Sequence, residues 1–302
     1  PSGGMLSIAR RLLCSWAGQL VSWPGLFGVS RDRRAPRAAM ALSKLSGDAQ
    51  CIIFSQLCNT LDPGIAVAFS STNSELRALT QALLQQLRAD HEVAAALCRK
   101  LGMRSCKELR EAKKAWWVDR LLSEAHLALL GTLGSVLPAL EALVLYEPAD
   151  GVQRLAEGLG AGALPALTSL DLGDMHVGYA GASALAAALG RGAMPRLTRL
   201  FLGGTAICDA GLVALAPALR RLPALEELYL QGNSFGDEGL AALLAPPPPA
   251  GALPPSTGVL TKLKVLYLGY TQITDAGCAA LAAALDSGAL PALEKLKLAG
   301  IP

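Results

Sequence analysis

A leucine pattern that recurs through the C-terminal half limits the fold of this chain more than any other feature. The pattern L-x-x-L-x-L occurs six times, with first leucines at Leu140, Leu167, Leu197, Leu225, Leu263 and Leu293. The successive spacings are 27, 30, 28, 38 and 30 residues. One match would mean little in a leucine-rich sequence, but six at near-constant spacing predict that the segment 137–302 is built from structural repeats.

A second pattern follows the first within each repeat. The motif G-x-x-x-L-x-x-x-L begins at Gly151, Gly181, Gly211 and Gly277, and Gly239 begins a shorter copy. Alternating leucines with period two predict a strand, and leucines four residues apart predict one face of a helix. Three of the glycines follow an aspartate by two residues, and we expect these aspartates to cap their own helices. They are Asp209, Asp237 and Asp275.

The two patterns together predict the fold class. One strand and one helix of this size cannot bury their apolar faces alone, whereas stacked copies bury a continuous core. We therefore predict an α/β solenoid with parallel strands on a concave face and helices on a convex face. It comprises six strand motifs and five helices. The last motif is followed closely by Pro302, so the sequence leaves open whether the array continues.

The single irregular spacing coincides with a proline-rich segment at 245–259, which includes four consecutive prolines. Prolines cannot continue a helix and favour an extended polyproline conformation. We expect the fourth helix to end at about Ala245 and roughly ten extra residues to form a surface insertion. The alternative is that this segment is a polyproline ligand for another domain.

These repeats resemble the ribonuclease-inhibitor class of leucine-rich repeats over roughly 165 residues. The closest match is the segment 225–239, "LEELYLQGNSFGDEG". The asparagine that this class repeats survives only as Asn233, while Met175, Thr205 and Thr271 replace it elsewhere. The missing asparagines lead us to expect less regular turns.

The segment 41–136 is helical in pattern and contains no repeat. Within it, residues 48–87 resemble a degenerate F-box, although the opening Leu-Pro and the late Trp of that family are missing. The matching residues are Ile53, Phe54, Leu57, Leu61, Asp62, Pro63, Ala66, Val67, Ser70 and Leu76. The resemblance implies docking to a Skp-type adaptor of a cullin ubiquitin ligase; the alternative is a plain helical cap. Residues 89–136 are predicted to form two or three further helices, with Trp116 and Trp117 packing where they meet the first repeat.

Charge and composition distinguish the N-terminal segment from the rest. Residues 1–47 hold seven of the 27 basic and one of the 24 acidic residues, which leaves 20 basic and 23 acidic residues, a net charge of −3, in the remainder. A body without excess positive charge argues against nucleic acid as a partner. Residues 1–40 have the composition of a targeting peptide or of upstream sequence and are expected to be poorly ordered. Gln19, Ser22 and Pro24 interrupt their apolar stretch, so no membrane span is expected.

The sequence offers no sign of catalytic or metal chemistry. It lacks the G-x-S-x-G, H-E-x-x-H and phosphate-loop motifs. Its seven cysteines include no C-x-x-C pair, so we read them as free thiols in a reducing compartment. We therefore expect no cofactor and no metal, and a cytoplasmic or nuclear location unless residues 1–40 direct the chain to an organelle. An enzyme with an unrecognised site is the remote alternative.

Binding is the function that the repeat register favours. The residue between the last two leucines of each motif should point out of the concave face, which places Phe201, Tyr229 and Tyr267 in a row. Exposed aromatic rings beside charged groups are typical of protein-binding surfaces; the alternative is that the rings only stabilise the sheet. We expect a monomeric interaction scaffold whose partner the sequence does not name. The predicted binding residues are Asp171, Arg199, Phe201, Glu227, Tyr229, Gln231, Tyr267 and Tyr270.

Overall fold

The computed structural model describes residues 47–72, 74–146, 151–244 and 260–301. The predictions for the basic segment 1–40 and for the proline-rich insertion at 245–259 lie outside these residues.

One parallel sheet runs through the described part of the chain, and its seven strands follow each other in chain order. The predicted α/β solenoid of leucine-rich repeats is confirmed. The strands are β1 (Lys114–Val118), β2 (Ala142–Tyr146), β3 (Ser169–Asp171), β4 (Arg199–Phe201), β5 (Glu227–Tyr229), β6 (Val265–Tyr267) and β7 (Lys295–Lys297).

Strand β1 was not predicted from the sequence. It pairs in parallel with β2 from Lys114 to Val118, so the sheet begins before the first leucine motif. Its sequence, KAWWV, places Ala115 and Trp117 at the buried positions that leucines occupy in the other strands. The two tryptophans therefore lie on opposite faces of a strand instead of at a junction between helices.

Helices cover the side of the sheet to which the strand leucines point. Each lies between two successive strands, with its leucine face against the leucines of the sheet, and each after the first also packs against the helix before it. These helices are α5 (Glu124–Leu133), α6 (Val152–Gly158), α7 (Gly178–Gly190), α8 (Asp209–Leu219), α9 (Asp237–Leu244) and α10 (Asp275–Asp286). A short 3₁₀ helix, Gly134–Val136, follows α5.

The N-terminal region is helical, as predicted, and it divides between two cores. Its helices are α1 (Gly47–Leu57), α2 (Gly64–Ser70), α3 (Ser74–Lys100) and α4 (Cys106–Glu111). The end of α3 and helix α4 join the repeat core through Leu97, Cys98 and Leu109. The first part of α3 packs instead with α1 and α2 around Phe54 and Leu76, in a separate small core. The second half of this region therefore covers the first repeat.

The aspartates at the helix starts do not cap their own helices, contrary to the sequence prediction. Each is the first residue of its helix, and the carboxylates of Asp209 and Asp237 face the next repeat. Asp209 accepts hydrogen bonds from the backbone N–H groups of Gly236 (2.9 Å) and Gly239 (2.7 Å), the second of which lies in the first turn of α9. Asp237 accepts in the same way from the backbone and the hydroxyl of Thr274, at the start of α10. The caps thus join neighbouring repeats.

The turns after the strands are regular although most of the expected asparagines are missing. Asn233 is buried; its Nδ2 donates to the carbonyls of Leu202 and Leu230, and its Oδ1 accepts from the backbone of Thr205 and Ile207. The hydroxyl of Thr205 donates to the Leu202 carbonyl at 2.8 Å, and Thr271 makes the equivalent bond within its own turn. In these two turns a threonine hydroxyl therefore replaces part of the asparagine's role.

Candidate interaction surface

The strands expose side chains on the face of the sheet opposite the helices, which we call the open face, and one row of them runs through all seven strands. The register places one residue of each strand in this row: Trp116, Val144, Asp171, Phe201, Tyr229, Tyr267 and Lys297. The leucines on either side of each row position in the repeats point to the core, as period two requires. The row is the position that sequence analysis selected, with Trp116 added.

Three aromatic rings in the middle of the row are in contact. The rings of Phe201 and Tyr229 are stacked, with centroids 4.2 Å apart and an interplanar angle of 11°. Tyr229 meets Tyr267 edge to face, at 4.7 Å and 70°. Two lysines of the last described strand lie over the outer ring, with Lys297 Nζ 4.7 Å and Lys295 Nζ 5.4 Å from the Tyr267 centroid. This is the geometry of cation–π contacts, and the lysines lower the pKa of the Tyr267 hydroxyl.

The two acidic residues of the open face are bound to tyrosine hydroxyls. Tyr146 donates to Asp171 Oδ2 at 3.0 Å, and the backbone N–H of Gly173 donates to Oδ1 of the same carboxylate. Tyr229 donates to Glu227 Oε2 at 2.9 Å. Burial first, and then the bonded carboxylate, raise the pKa of each of these tyrosines to about 12. Both carboxylates therefore have a partner within the surface itself.

The remaining predicted binding residues lie around the stack but outside it. Arg199 is exposed beside Glu227 in the adjacent row of β4 and β5. Gln231 extends over Gly203, and its Oε1 is buried without a hydrogen-bond partner among the described residues. Tyr270 lies in the turn after β6, 68% exposed, with its ring over Gly300, so it does not extend the stack.

Sequence reasoning missed the apolar end of the open face. Trp116 is 76% exposed and stands in register with Val144, next to Val118, which is 48% exposed. Leu121 follows in the next turn, 74% exposed and with a φ of 53°. A bulky residue seldom adopts that conformation. The alternation in KAWWV could have revealed the strand, but without the leucines it has no counterpart in the repeat pattern.

Other groups that carry chemistry are dispersed in the described part of the chain. His91 bonds to the Thr60 carbonyl and His126 to Ser123 at a helix start. Cys58, Cys98, Cys106, Cys208 and Cys278 are free, and the Sγ atoms of Cys98 and Cys106 lie 3.8 Å apart in the core. No cluster of three or more potential metal ligands occurs among the described residues. No helix in them combines the length and the hydrophobicity that a bilayer span requires.

Among the comparisons with known proteins, a family model bears on the repeats. No curated protein matches the chain. A solved structure that matches is the crystal structure of an internalin from Listeria monocytogenes str. 4b F2365, with 19% sequence identity, 55% of this chain covered and a TM-score of 0.28. The match spans about half, 49%, of that internalin's length. A family model described as "Leucine Rich repeat" matches residues 164–186, 222–244 and 259–282. With the sheet and helices above, this match identifies the repeats of this chain as leucine-rich repeats.

Proposed function

We propose that this protein is a non-enzymatic interaction scaffold that binds a protein partner through the open face of its sheet. The observation that carries the proposal is the stack of Phe201, Tyr229 and Tyr267, which stands half-buried on strands whose opposite side chains are fully buried. Large aromatic side chains with a polar tip, held on rigid elements, contribute strongly to protein interfaces.

The distribution of aromatic residues supports a binding role over a purely structural one. The chain has five Phe, four Trp and five Tyr, and four of these 14 stand at one position of the repeat on the open face. The sheet does not need them for its core, because the buried leucines of the same strands already fill it. If stacking alone were their role, Trp116 would not be expected at an exposed position without an aromatic neighbour in register.

The test is a comparison of captured proteins between the wild-type chain and the triple variant Phe201→Ala/Tyr229→Ala/Tyr267→Ala. We expect the variant to lose the specific partners that mass spectrometry identifies with the wild type. Tyr179→Ala is the control, because it removes a 57% exposed ring from the helix side. Thermal unfolding establishes that the variants are folded. Retention of every partner by the folded triple variant would refute the proposal.

A second candidate function is that of a substrate receptor of a cullin ubiquitin ligase. The separate small core around Phe54, Ala66 and Phe69 favours it, because a docking module must fold without filling the repeat core. This unit also exposes apolar side chains: Ile65 is 45%, Leu79 47% and Leu83 43% exposed. Exposed apolar groups of this kind suit an adaptor surface.

Binding of a purified Skp-type adaptor tests this second function. We expect Leu79→Asp/Leu83→Asp to abolish adaptor binding, with Val93→Asp, a 56% exposed position further along α3, as the control. Absence of adaptor binding by the wild-type chain would leave the plain helical cap as the role of residues 48–87.

The ribonuclease-inhibitor subclass, a monomeric state and a cytoplasmic or nuclear location complete the proposal. The free cysteines among the described residues support a reducing compartment. Light scattering of the purified chain tests the monomer, and microscopy of a fluorescent fusion tests the location.

A further inference from the structure

The open face carries four basic side chains that form no ion pair with any described residue: Lys114, Arg199, Lys295 and Lys297. All four are exposed. The acidic side chains of the same face, Asp171 and Glu227, are held by tyrosine hydroxyls instead. The face therefore carries four exposed cations against two carboxylates, an excess of positive charge.

This arrangement differs from that of the row beside it. Lys113 and Lys264 each lie one residue before a strand, and each has a carboxylate partner. Lys113 Nζ is 3.4 Å from Glu141 Oε1, and Lys264 Nζ is 2.9 Å from Glu226 Oε2. The chain from residue 48 onward has more acidic than basic residues, 23 against 20. An excess of exposed cations over carboxylates on one face of a body with a net negative charge indicates a site for an anionic partner.

The two ends of the open face differ in character. At the β1 end, Trp116, Val118 and Leu121 form an exposed apolar group. At the β7 end, Lys295 and Lys297 lie over the Tyr267 ring. Six steps between neighbouring strands at about 4.8 Å each separate the ends by about 29 Å, a span that an extended segment of about nine residues would cover.

We propose that the partner of the open face is an acidic protein segment that lies across the strands. Its carboxylates bind Lys295 and Lys297, and an apolar side chain about nine residues away packs on Trp116. The assignment rests on the proposed function and adds to it the chemistry and direction of the partner. A protein segment fits better than a nucleic acid, because Asp171 and Glu227 stand between the cations and would repel a continuous phosphate backbone.

Fluorescence anisotropy with three labelled peptides of about twelve residues tests the proposal. Each carries a Leu-Trp pair at one end and four Glu, four Gln or four Lys residues at the other. We expect the glutamate peptide to bind with a Kd below about 1 mM and more tightly than the other two peptides. Its affinity should decrease as salt is added. No binding of the glutamate peptide, or equal binding of the glutamate and glutamine peptides, would overturn the proposal. So would tighter binding of a labelled twelve-nucleotide single-stranded DNA.

Charge-reversal variants locate the contact. Lys295→Glu/Lys297→Glu should lower the affinity for the glutamate peptide by about tenfold, while the affinity for the glutamine peptide changes little. The control, Arg77→Glu/Arg88→Glu, makes the same charge change at exposed positions of α3 and should have less than about a twofold effect. Equal effects of the two variants would show that net charge alone attracts the peptide and would refute the site.

The outcomes separate this proposal from the one on which it rests. If partners captured by the wild-type chain are lost with the triple aromatic variant but kept with Lys295→Glu/Lys297→Glu, the scaffold function stands and the acidic partner is wrong. If the triple aromatic variant keeps those partners, the proposed function itself fails.

Discussion

Substitution of Asp209 should reveal how strongly one repeat stabilises the next. Its Oδ1 accepts two backbone hydrogen bonds from the following repeat, from Gly236 at 2.9 Å and from Gly239 at 2.7 Å. A Cβ at position 239 would lie 2.9 Å from this oxygen, so only glycine allows the approach. Asp209→Ala leaves both donors without their acceptor and removes a negative charge from the positive end of α9.

The cost follows from these contacts. Loss of a capping side chain costs about 1 kcal/mol, and a hydrogen bond to a charged group contributes about 1.5–3 kcal/mol. Asp209 is half-buried, so water replaces part of what is lost. We therefore expect the free energy of unfolding to fall by about 2 kcal/mol for Asp209→Ala. Asp209→Asn keeps a neutral acceptor and should lose about half as much.

Urea denaturation followed by circular dichroism at 222 nm measures the effect. The matched control is Asp275→Ala: Asp275 also begins its helix, but it is exposed and accepts no hydrogen bond from another described residue. The control removes only a charge near a helix start and should cost about 0.5 kcal/mol. Equal losses for Asp209→Ala and Asp275→Ala would show that the carboxylate acts on its own helix and that the cap between repeats is unimportant.

Three further predictions concern a turn, the open face and a cap between repeats. Asn233→Ala should lower the free energy of unfolding by about 3 kcal/mol, because buried donors and acceptors of two repeats lose their partner. Thr271→Ala loses one hydrogen bond and should lower it by about 1 kcal/mol, so equal decreases for the two variants in urea denaturation would contradict this. Burial and the bond to Glu227 raise the pKa of Tyr229 to about 12, so in an alkaline titration followed at 295 nm Tyr229→Phe should reduce the latest phase, while Tyr267 ionises below its usual pKa of 10.0. An unchanged late phase would refute the raised pKa of Tyr229. Hydrogen bonds from Thr274 lower the pKa of Asp237 below 3.8, so its charged form stabilises the fold above pH 3.8, and this contribution is lost as the pH falls through the lower pKa of the folded state. Asp237→Asn should therefore make the melting temperature less dependent on pH in that range. Identical dependence of the melting temperature on pH for the variant and the wild type would refute this prediction.

The sequence predicted the repeat architecture and the open-face row because both depend on local periodicity. Leucine spacing fixes which residues face the core, and the residue between two buried leucines must face the other way. For that reason Phe201, Tyr229 and Tyr267 could be assigned to one row before any contact was known. Tyr270 could not be placed in the same way, because it lies past the end of its strand, where the alternation no longer applies.

Features that depend on contacts between repeats could not be predicted. The aspartate beside each helix glycine looked like a cap for its own helix, since the sequence shows spacing along the chain but not which backbone N–H groups a neighbouring repeat presents. Strand β1 was missed because Ala115 and Trp117 stand where the pattern requires leucine. The unpaired state of Lys295 and Lys297 also depends on which carboxylates lie nearby, and the folded geometry alone determines that.

The ring stack is suited to binding because the backbone beneath it is fixed on both sides. The carbonyls of Phe201, Tyr229 and Tyr267 each accept a hydrogen bond from the strand or turn of the preceding repeat, at 2.8–3.0 Å. Asn233 fixes the turns that follow two of these strands. An aromatic side chain on such a strand has only two rotatable bonds left to order, so little conformational entropy is lost when a partner covers it. The bonds that join one repeat to the next therefore also position the surface that we propose for binding.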